Sequence, residues 1–277
     1  MQLAAHNHFT RETEGVGFEP TVGFPTLDFE SSALNRTQPP FQSLGSVDLI
    51  LGYAILRRPM RLQRQSSTRA FNGAMDITLA GDGIETRIIY EFKRPIGDFE
   101  AYKLVRDEAG RDILRRIYRG YAEVAARHGL SIQLGSPTWR ASRKWTRDVE
   151  SVNASAVELL RAVMQQFAGV RIILAGVIGP ASDGYATDEA LSANAAFAYH
   201  REQADVLAGL DVDFLYAPTF PAFSELSGVT RAIAETGRPY ALAPMLHPNG
   251  TMLDGTPLAD AIARIDAEIA PAPRHYM

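Results

Sequence analysis

Cysteine is absent from all 277 residues of the chain. This absence excludes disulfide bonds, thiolate zinc sites, iron–sulfur clusters and a cysteine nucleophile within the chain.

An excess of positive charge is also lacking. Lys and Arg number 28 against 32 Asp and Glu, which gives a formal net charge of -4 and an isoelectric point near 5.9. Proteins that bind nucleic acid carry clustered basic residues and a basic domain charge. Nucleic acid is therefore disfavoured as a partner.

Long hydrophobic runs and a secretory leader pattern are missing as well. The run LILGYAIL at residues 49–56 is far shorter than the roughly 20 residues needed to cross a bilayer. The N-terminal stretch MQLAAHNHFTRETE has no basic segment followed by an apolar one. We expect a cytoplasmic protein with no membrane partner.

The first 74 residues differ in character from the rest, because they show no sustained period of 3.6 or 2. They contain seven Arg and no Lys, so an organellar transit peptide over residues 56–73 is one interpretation. A disordered tail is another, and translated tRNA-gene sequence before a natural start at Met75 is a third. All three predict that residues 1–74 are a disordered or spurious extension of a domain spanning residues 75–277.

From Met75 onward, apolar strand-like runs alternate with helix-like segments. The predicted strands are residues 77–80, 130–134, 170–178, 212–217 and 240–245, and residues 274–277 begin a sixth. Predicted helices cover the stripe 113, 117, 121 and 124, a segment capped by Asn153, residues 194–209 and 223–235, and the stripe 258, 262, 265 and 269. The first of these helices should end at His128-Gly129, a basic residue followed by a glycine cap.

Continuous apolar strands joined by helices predict parallel pairing, in a doubly wound sheet or a (β/α)8 barrel. The turn after the first strand, AGDGIETR, is not the G-x-G-x-x-G turn of dinucleotide-binding folds. Polar and glycine-rich residues follow every strand, where barrel enzymes build their active sites. The sequence therefore favours an incomplete barrel of about five βα units and the start of strand six.

Four clusters at the strand ends hold the candidate site residues, GDGIETR, GSPTWR, GPASDGY and PTFP with Glu225. Trp139 and Arg140 offer an aromatic face and a guanidinium that suit a carboxylate or a methyl-donor group. A packed Trp beside a surface Arg is the alternative. His200, in a predicted helix, is interpreted as a packing residue.

In this order and spacing, GDGIETR, SPTWRAS, GVIGPASDGY, AYHREQADVL and the segment 219–225 resemble the homocysteine S-methyltransferase family, over about residues 77–277. The resemblance implies a zinc-dependent barrel that transfers a methyl group from an activated donor to homocysteine to give methionine. Its partners would be a homocysteine-like thiol and a methyl donor.

The resemblance also implies substrate-binding residues. The first-strand turn of the family, usually Asp-Gly-Gly-x-x-Thr, lies against homocysteine; here Asp82, Gly83 and Thr86 stand in it, with the Asp and the first Gly exchanged. The family pattern Glu-Thr-x-Pro-x-x-x-Glu is represented by Thr219, Pro221 and Glu225, with Pro218 in place of the first Glu. For Asp82 the alternative is an Asp-Gly turn without a ligand, and for Glu225 a favourable charge at a helix N-terminus.

Zinc is expected for the family, held by three cysteines that this chain lacks. The resemblance places the first of them just beyond Met277, so the chain is expected to stop before its metal ligands. His247 and His275 have no Cys or carboxylate partner at metal spacing, so no metal ligand and no catalytic residue is assigned to this chain.

Three functions remain open. The first is a homocysteine S-methyltransferase domain that is inactive by itself because the zinc ligands are absent. The second is a non-catalytic barrel that binds an amino acid. The third is a metal-free barrel hydrolase using carboxylates such as Asp213 and Glu225.

Overall fold

A six-stranded parallel sheet organises the molecule. The computed structural model describes residues 54–56 and 77–277, which lie in the compact unit Leu49–Met277. The parallel strands are β2 (Ile77–Gly81), β3 (Ser131–Gly135), β4 (Ile172–Val177), β5 (Phe214–Phe220), β6 (Tyr240–Pro244) and β7 (His275–Tyr276), and a short strand β1 (Ala54–Leu56) pairs antiparallel with β2.

The order of the strands decides between the two predicted architectures. Each strand pairs with the next one in the sequence, from β1 to β7. A doubly wound sheet reverses its strand order at a switch point, whereas a (β/α)8 barrel keeps sequential order around its circumference. The six parallel strands are therefore an arc of a barrel, as the strand-end pattern predicted.

Helices alternate with these strands. They are α1 (Ile84–Tyr90), α2 (Glu108–His128), α3 (Val149–Met164), α4 (Ala193–Gly209), α5 (Phe223–Glu235) and α6 (Leu258–Glu268), and 3-10 turns lie at Ala101–Arg106 and Gln165–Phe167. The predicted end of α2 is confirmed, because Gly129 has a φ of 63° and its N–H bonds back to Ala125. Glycine reaches this left-handed conformation without a steric penalty.

Apolar side chains pack on both faces of the sheet. Leu134, Leu174 and Leu215 belong to the large core between the strands and the helices. Their neighbours in the strands, Ala175 and Tyr216, belong to a smaller cluster on the opposite face, because successive side chains of a strand point to opposite sides. Burial on both faces explains why these strands are almost continuously apolar.

One prediction about local structure needs correction. Asn153 does not cap a helix: α3 begins at Val149, and Asn153 lies inside it, fully buried, with Nδ2 donating to Ala141 O at 2.8 Å. The short helix α1, directly after β2, was not among the predicted helices. Of the predicted disordered or spurious extension 1–74, only Ala54–Leu56, which forms β1, lies within the described part of the chain.

Among residues 54–56 and 77–277, every helix is too short or too polar to span a lipid bilayer.

Candidate functional site

The candidate residues follow the carboxyl ends of neighbouring parallel strands. Asp82 and Gly83 follow β2, Trp139 and Arg140 lie in the segment after β3, and Thr219 lies at the end of β5. Parallel strands that pair in register end at the same edge of the sheet, where barrel active sites are built. The fold therefore places these sequence-predicted residues on one face of the arc.

Trp139 is the centre of this face. Its indole Nε1 donates a hydrogen bond of 2.8 Å to Thr219 Oγ1, which joins the segment after β3 to the end of β5. Gly179 packs so closely on the indole that a Cβ there would lie 2.5 Å from Cδ1. The ring of Phe99 meets the indole edge-on, with centroids 6.4 Å apart. Contacts from three other segments thus hold the indole in one position.

Two of these contacts come from strained backbone. Phe99 has a φ of 59° and Thr219 a φ of 64°, and the register of β5 shifts between Pro218 and Phe220. Positive φ is unfavourable for bulky and β-branched residues, and such strain persists where the surrounding structure imposes it, often at functional sites. Two of the four non-glycine residues with positive φ in the described part of the chain therefore contact Trp139.

Arg140 lies between two indole rings. Its guanidinium carbon is 4.2 Å from the ring centroid of Trp139 and 4.3 Å from that of Trp145. Nε donates to Asp98 O at 3.3 Å, and Nη1 donates to Ser182 O. Arg140 is only 6% exposed, and this burial lowers the pKa of its guanidinium, against the opposing fields of Asp183 and Asp98.

A cavity of about 240 Å³ lies against this stack. Its walls combine aromatic, acidic and basic side chains, and they comprise Asp98, Phe99, Trp139, Arg140, Lys144, Trp145, Ser182, Asp183, Tyr185 and Glu189. Sequence analysis assigned only Trp139 and Arg140 of this set to substrate binding. The second Trp of TWRASRKW is a local signal from which a larger aromatic site could have been predicted, whereas most of the other lining residues come from distant segments.

The turn after β2 lies outside the walls of this cavity. Gly83 adopts a φ of 68° at the start of α1, and its N–H donates to Asp82 Oδ1 at 2.9 Å. Tyr121 donates its hydroxyl to Asp82 O at 2.7 Å, which ties the turn to α2. Asp82 is exposed and Thr86 is partly exposed on α1. Desolvation by the surrounding protein raises the pKa of the Asp82 carboxyl, and the hydrogen bond from the Gly83 N–H opposes this change.

Glu225, in the first turn of α5, is buried and hydrogen-bonded within the protein. It is 1% exposed, and its oxygens accept N–H bonds from Ala181 at 2.7 Å and Leu191 at 3.3 Å. His200 Nε2 lies 3.1 Å from Glu225 Oε1. Glu225 is not among the cavity walls; it holds the two ends of the segment that carries Ser182, Asp183 and Tyr185 to the cavity.

His200 is buried in the core, as its interpretation as a packing residue predicted. It is fully buried between Tyr199 and Phe220, with ring centroids 4.8 and 5.5 Å away. Burial lowers the pKa of its imidazole, and the nearby Glu225 opposes that change. The hydrogen bond to Glu225 was missed, because no sequence pattern links residues 25 positions apart.

The carboxylate pair required for a hydrolase is not assembled. Asp213 immediately precedes β5 and accepts the Leu174 N–H at 2.7 Å, whereas Glu225 follows the opposite end of that strand. The seven residues of β5 lie between them, a strand length of roughly 23 Å at about 3.3 Å per residue. Two carboxylates this far apart cannot act on one bond, so the hydrolase hypothesis loses its geometric basis.

Metal ligands are not clustered among the described residues either. Within residues 54–56 and 77–277, no group of three His, Cys, Asp or Glu side chains could hold a metal ion. Protein zinc sites use at least three such ligands. The donor set of the described residues therefore does not fit the zinc site expected from the resemblance.

Comparisons with known proteins agree with this arrangement. A sequence model of the family described as homocysteine S-methyltransferase matches residues 70–273. The S-methylmethionine–homocysteine S-methyltransferase BHMT2 of Pongo abelii is 32% identical over 124 residues, which cover 45% of this chain and 31% of that protein. The chain thus matches about a third of the length of this relative.

Solved structures show the same fold. The metallated form of the homocysteine methyltransferase MmuM from Escherichia coli superimposes with a TM-score of 0.58 at 20% identity, over 72% of this chain and 71% of that one. Its oxidized form gives a TM-score of 0.53 at 21% identity, over 65% and 66%. Because the family match covers residues 70–273 and its motifs lie at the strand ends of this arc, the chain belongs to the homocysteine S-methyltransferase family.

Proposed function

We propose that the strand-end face of this arc binds homocysteine as the methyl acceptor of a methyltransferase reaction. The observation that carries the proposal is the bond between Trp139 and Thr219, which joins two family motifs beside a cavity at the strand ends. Asp82 and Gly83 extend the face toward β2, where an exposed carboxyl group suits the ammonium group of an amino acid.

The proposed reaction moves a methyl group between two sulfur atoms when S-methylmethionine, named in the description of the Pongo abelii relative, is the donor. A bond forms between the homocysteine sulfur and the methyl carbon while the donor's sulfonium–methyl bond breaks. The bonding electrons return to the donor sulfur, and the acceptor thiol loses its proton. Both products are then methionine.

Activation of the acceptor thiol is the step that the described residues do not supply. A free thiol has a pKa near 8.5, so most of it is protonated at neutral pH and is a poor nucleophile. The chain has no cysteine, and its described residues form no three-ligand metal group. We therefore expect the 277-residue polypeptide to bind homocysteine without transferring a methyl group at a measurable rate.

Binding is tested by isothermal titration calorimetry of the purified chain with L-homocysteine. Asp82→Asn removes the charge at the β2 turn with little change in shape, and it is expected to weaken binding about tenfold, the usual loss for a charge-assisted hydrogen bond. Asp205→Asn, at an exposed position on α4, is the matched control. Equal affinity of Asp82→Asn and the unmodified chain would remove Asp82 from the proposal, and no binding of homocysteine at all would end it.

Transfer is tested separately by incubating the chain with homocysteine, S-methylmethionine and Zn2+ and measuring methionine. The expected result is no turnover and no stoichiometric zinc after dialysis. A non-catalytic amino-acid-binding barrel predicts the same binding, and turnover in this assay would contradict both that alternative and the expected inactivity.

A further inference from the structure

The loop after β6 presents an asparagine followed by a glycine at the surface. Asn249 and Gly250 are both exposed, and they lie in the turn of a short hairpin in which Leu246 pairs with Met252. Met252 is fully buried in the large core, so the hairpin is anchored at its base while its turn faces solvent. The proposed function makes no use of this turn.

The backbone nitrogen of Gly250 is accessible from solvent. The φ of this residue is 83°, in the left-handed region that glycine adopts without a steric penalty. A Cβ added to Gly250 would meet no described atom within 4 Å, so the space beside it is open. Its N–H donates to His247 O at 2.9 Å, and this proton must pass to a base, such as hydroxide, before the nitrogen can act as a nucleophile.

The hydrogen bonds of the turn make the side-chain amide of Asn249 a better electrophile. Its Oδ1 accepts the Thr251 N–H at 3.1 Å and the Thr251 hydroxyl at 2.8 Å. Two donors on one carbonyl oxygen stabilise the negative charge that develops there when a nucleophile attacks the carbon, as the donors of an oxyanion hole do. The turn therefore favours attack at Asn249 Cγ.

We propose that Asn249 is a site of spontaneous deamidation. The Gly250 nitrogen loses its proton to hydroxide and forms a bond to Asn249 Cγ, which closes a five-membered cyclic imide. The bond between Cγ and Nδ2 breaks, and Nδ2 takes up a proton from water and leaves as ammonia. Water then opens the imide: addition at Cγ gives aspartate, and addition at the backbone carbonyl carbon gives isoaspartate. The reaction uses only water and hydroxide.

Either product changes the loop after β6. Both add a negative charge at position 249, and isoaspartate also adds a carbon to the main chain of the turn. The same hairpin carries Asp254, whose Oδ2 accepts the Phe223 N–H at 2.6 Å at the start of α5. The modification therefore acts on a segment that follows the carboxyl end of β6, at the edge of the sheet where barrel sites are built. It does not depend on whether that face binds homocysteine.

Peptide mapping by mass spectrometry of the incubated chain tests the proposal. Asn249 is expected to exchange its NH2 for OH, and to do so faster at alkaline than at neutral pH, because a base must remove the proton of the attacking nitrogen. Asn194 is the internal control: it is exposed in α4 but precedes Ala195, whose side chain hinders the attack. Equal conversion at the two positions, or none at Asn249, would overturn the proposal. The map also separates Asn249 from the pair Asn72-Gly73, which lies outside the described residues.

Substitution of Thr251 tests the contribution of the turn. Thr251→Val keeps the branched shape but removes the hydroxyl donor, and it is expected to slow conversion at Asn249 about tenfold, the usual loss for a hydrogen bond to a charged group. Thr251→Ser retains the hydroxyl and should convert at the rate of the unmodified chain. Equal rates in the two variants would overturn the role of the turn. Should Thr251→Val fail to fold, the comparison of Asn249 with Asn194 still decides, because it uses the unmodified chain.

Discussion

The indole Nε1 of Trp139 and the hydroxyl of Thr219 are 2.8 Å apart, although 80 positions separate the two residues in the sequence. Thr219 Oγ1 accepts this bond and donates to Pro218 O at 2.7 Å, while its backbone has a φ of 64°. The bond fixes the indole against the end of β5 and so shapes the cavity wall. Its removal is the most direct perturbation of the site that leaves the charges unchanged.

Thr219→Val keeps the β-branched shape and deletes the hydroxyl. Trp139 Nε1 then loses its acceptor and Pro218 O loses its donor. The free energy of unfolding should therefore fall by about 1–3 kcal/mol, the typical contribution of two hydrogen bonds. Urea denaturation followed by tryptophan fluorescence measures this change. Thr219→Ser retains the hydroxyl and should remain close to the unmodified chain; a Thr219→Val protein as stable as Thr219→Ser would show that the bond contributes nothing.

Gly179→Ala should disturb the same indole from its other side. The added Cβ would lie 2.5 Å from both Cδ1 and Nε1 of Trp139 and 2.6 Å from its carbonyl oxygen, too close for any undistorted structure. Such overpacking costs about 1–3 kcal/mol of stability, and the fluorescence maximum should shift as the indole moves. At Gly209, the last residue of α4, a Cβ meets no atom within 4 Å. Gly209→Ala is therefore the matched control and should not destabilise the protein.

The buried imidazole of His200 predicts a loss of stability in acid. Burial lowers its pKa in the folded state below the usual value of 6.5, so the unfolded chain binds a proton more readily than the folded one. The stabilisation is therefore complete above about pH 6.5 and is lost as the pH falls below this value, by at most about 1.4 kcal/mol per pH unit. Urea unfolding between pH 7.5 and 5.5 measures the effect.

A histidine control makes this prediction specific. His200→Gln has no imidazole to protonate and should reduce the pH dependence of the free energy of unfolding. His247→Gln changes a residue in the loop after β6 and leaves the His200–Glu225 contact in place. This variant should therefore keep the pH dependence of the unmodified chain. If both variants showed the pH dependence of the unmodified chain, His200 would not be its source.

Glu225→Ala should loosen the segment between β4 and α4. It leaves the N–H groups of Ala181 and Leu191 and the imidazole of His200 without their acceptor. Removing one partner of such a buried network costs about 3 kcal/mol. Hydrogen exchange at the amides of Ala181 and Leu191 should accelerate by more than exchange in β5. Glu235→Gln, on the exposed part of the same helix, is the control and should change stability by less than about 0.5 kcal/mol.

Much of the fold could be predicted from the sequence because its signals are local. The predicted helices with the stripe 113, 117, 121 and 124 and at residues 223–235 correspond to α2 and α5. The predicted end of α2 at His128-Gly129 was confirmed by the left-handed conformation of the glycine. Continuous apolar runs predicted the parallel strands, because strands covered on both faces need apolar side chains at every position. Asn153 was misassigned because a cap residue and a buried polar residue look alike until the partner at Ala141 is known.

The site was only partly predictable, because its contacts join residues that are distant in the sequence. The strand-end motifs identified Trp139, Arg140 and Thr219, which the structure brings to one face. They also suggested Glu225 as a contact to substrate, but the structure surrounds it with N–H donors of the protein. Whether the Glu225 carboxylate contacts a ligand or the protein depends on the path of the segment that contains Leu191, 34 residues earlier in the chain. No local sequence pattern predicts that path.

The sequence by itself determined the order of the strands and helices, the family motifs at the strand ends and the absence of cysteine, because each of these is a property of neighbouring residues. Tertiary structure alone decided that the guanidinium of Arg140 lies between two indoles, that it has no carboxylate partner among the described residues, and that His200 bonds to Glu225. These relationships depend on how the strand-end segments pack against one another. The chemistry proposed for the cavity depends on them.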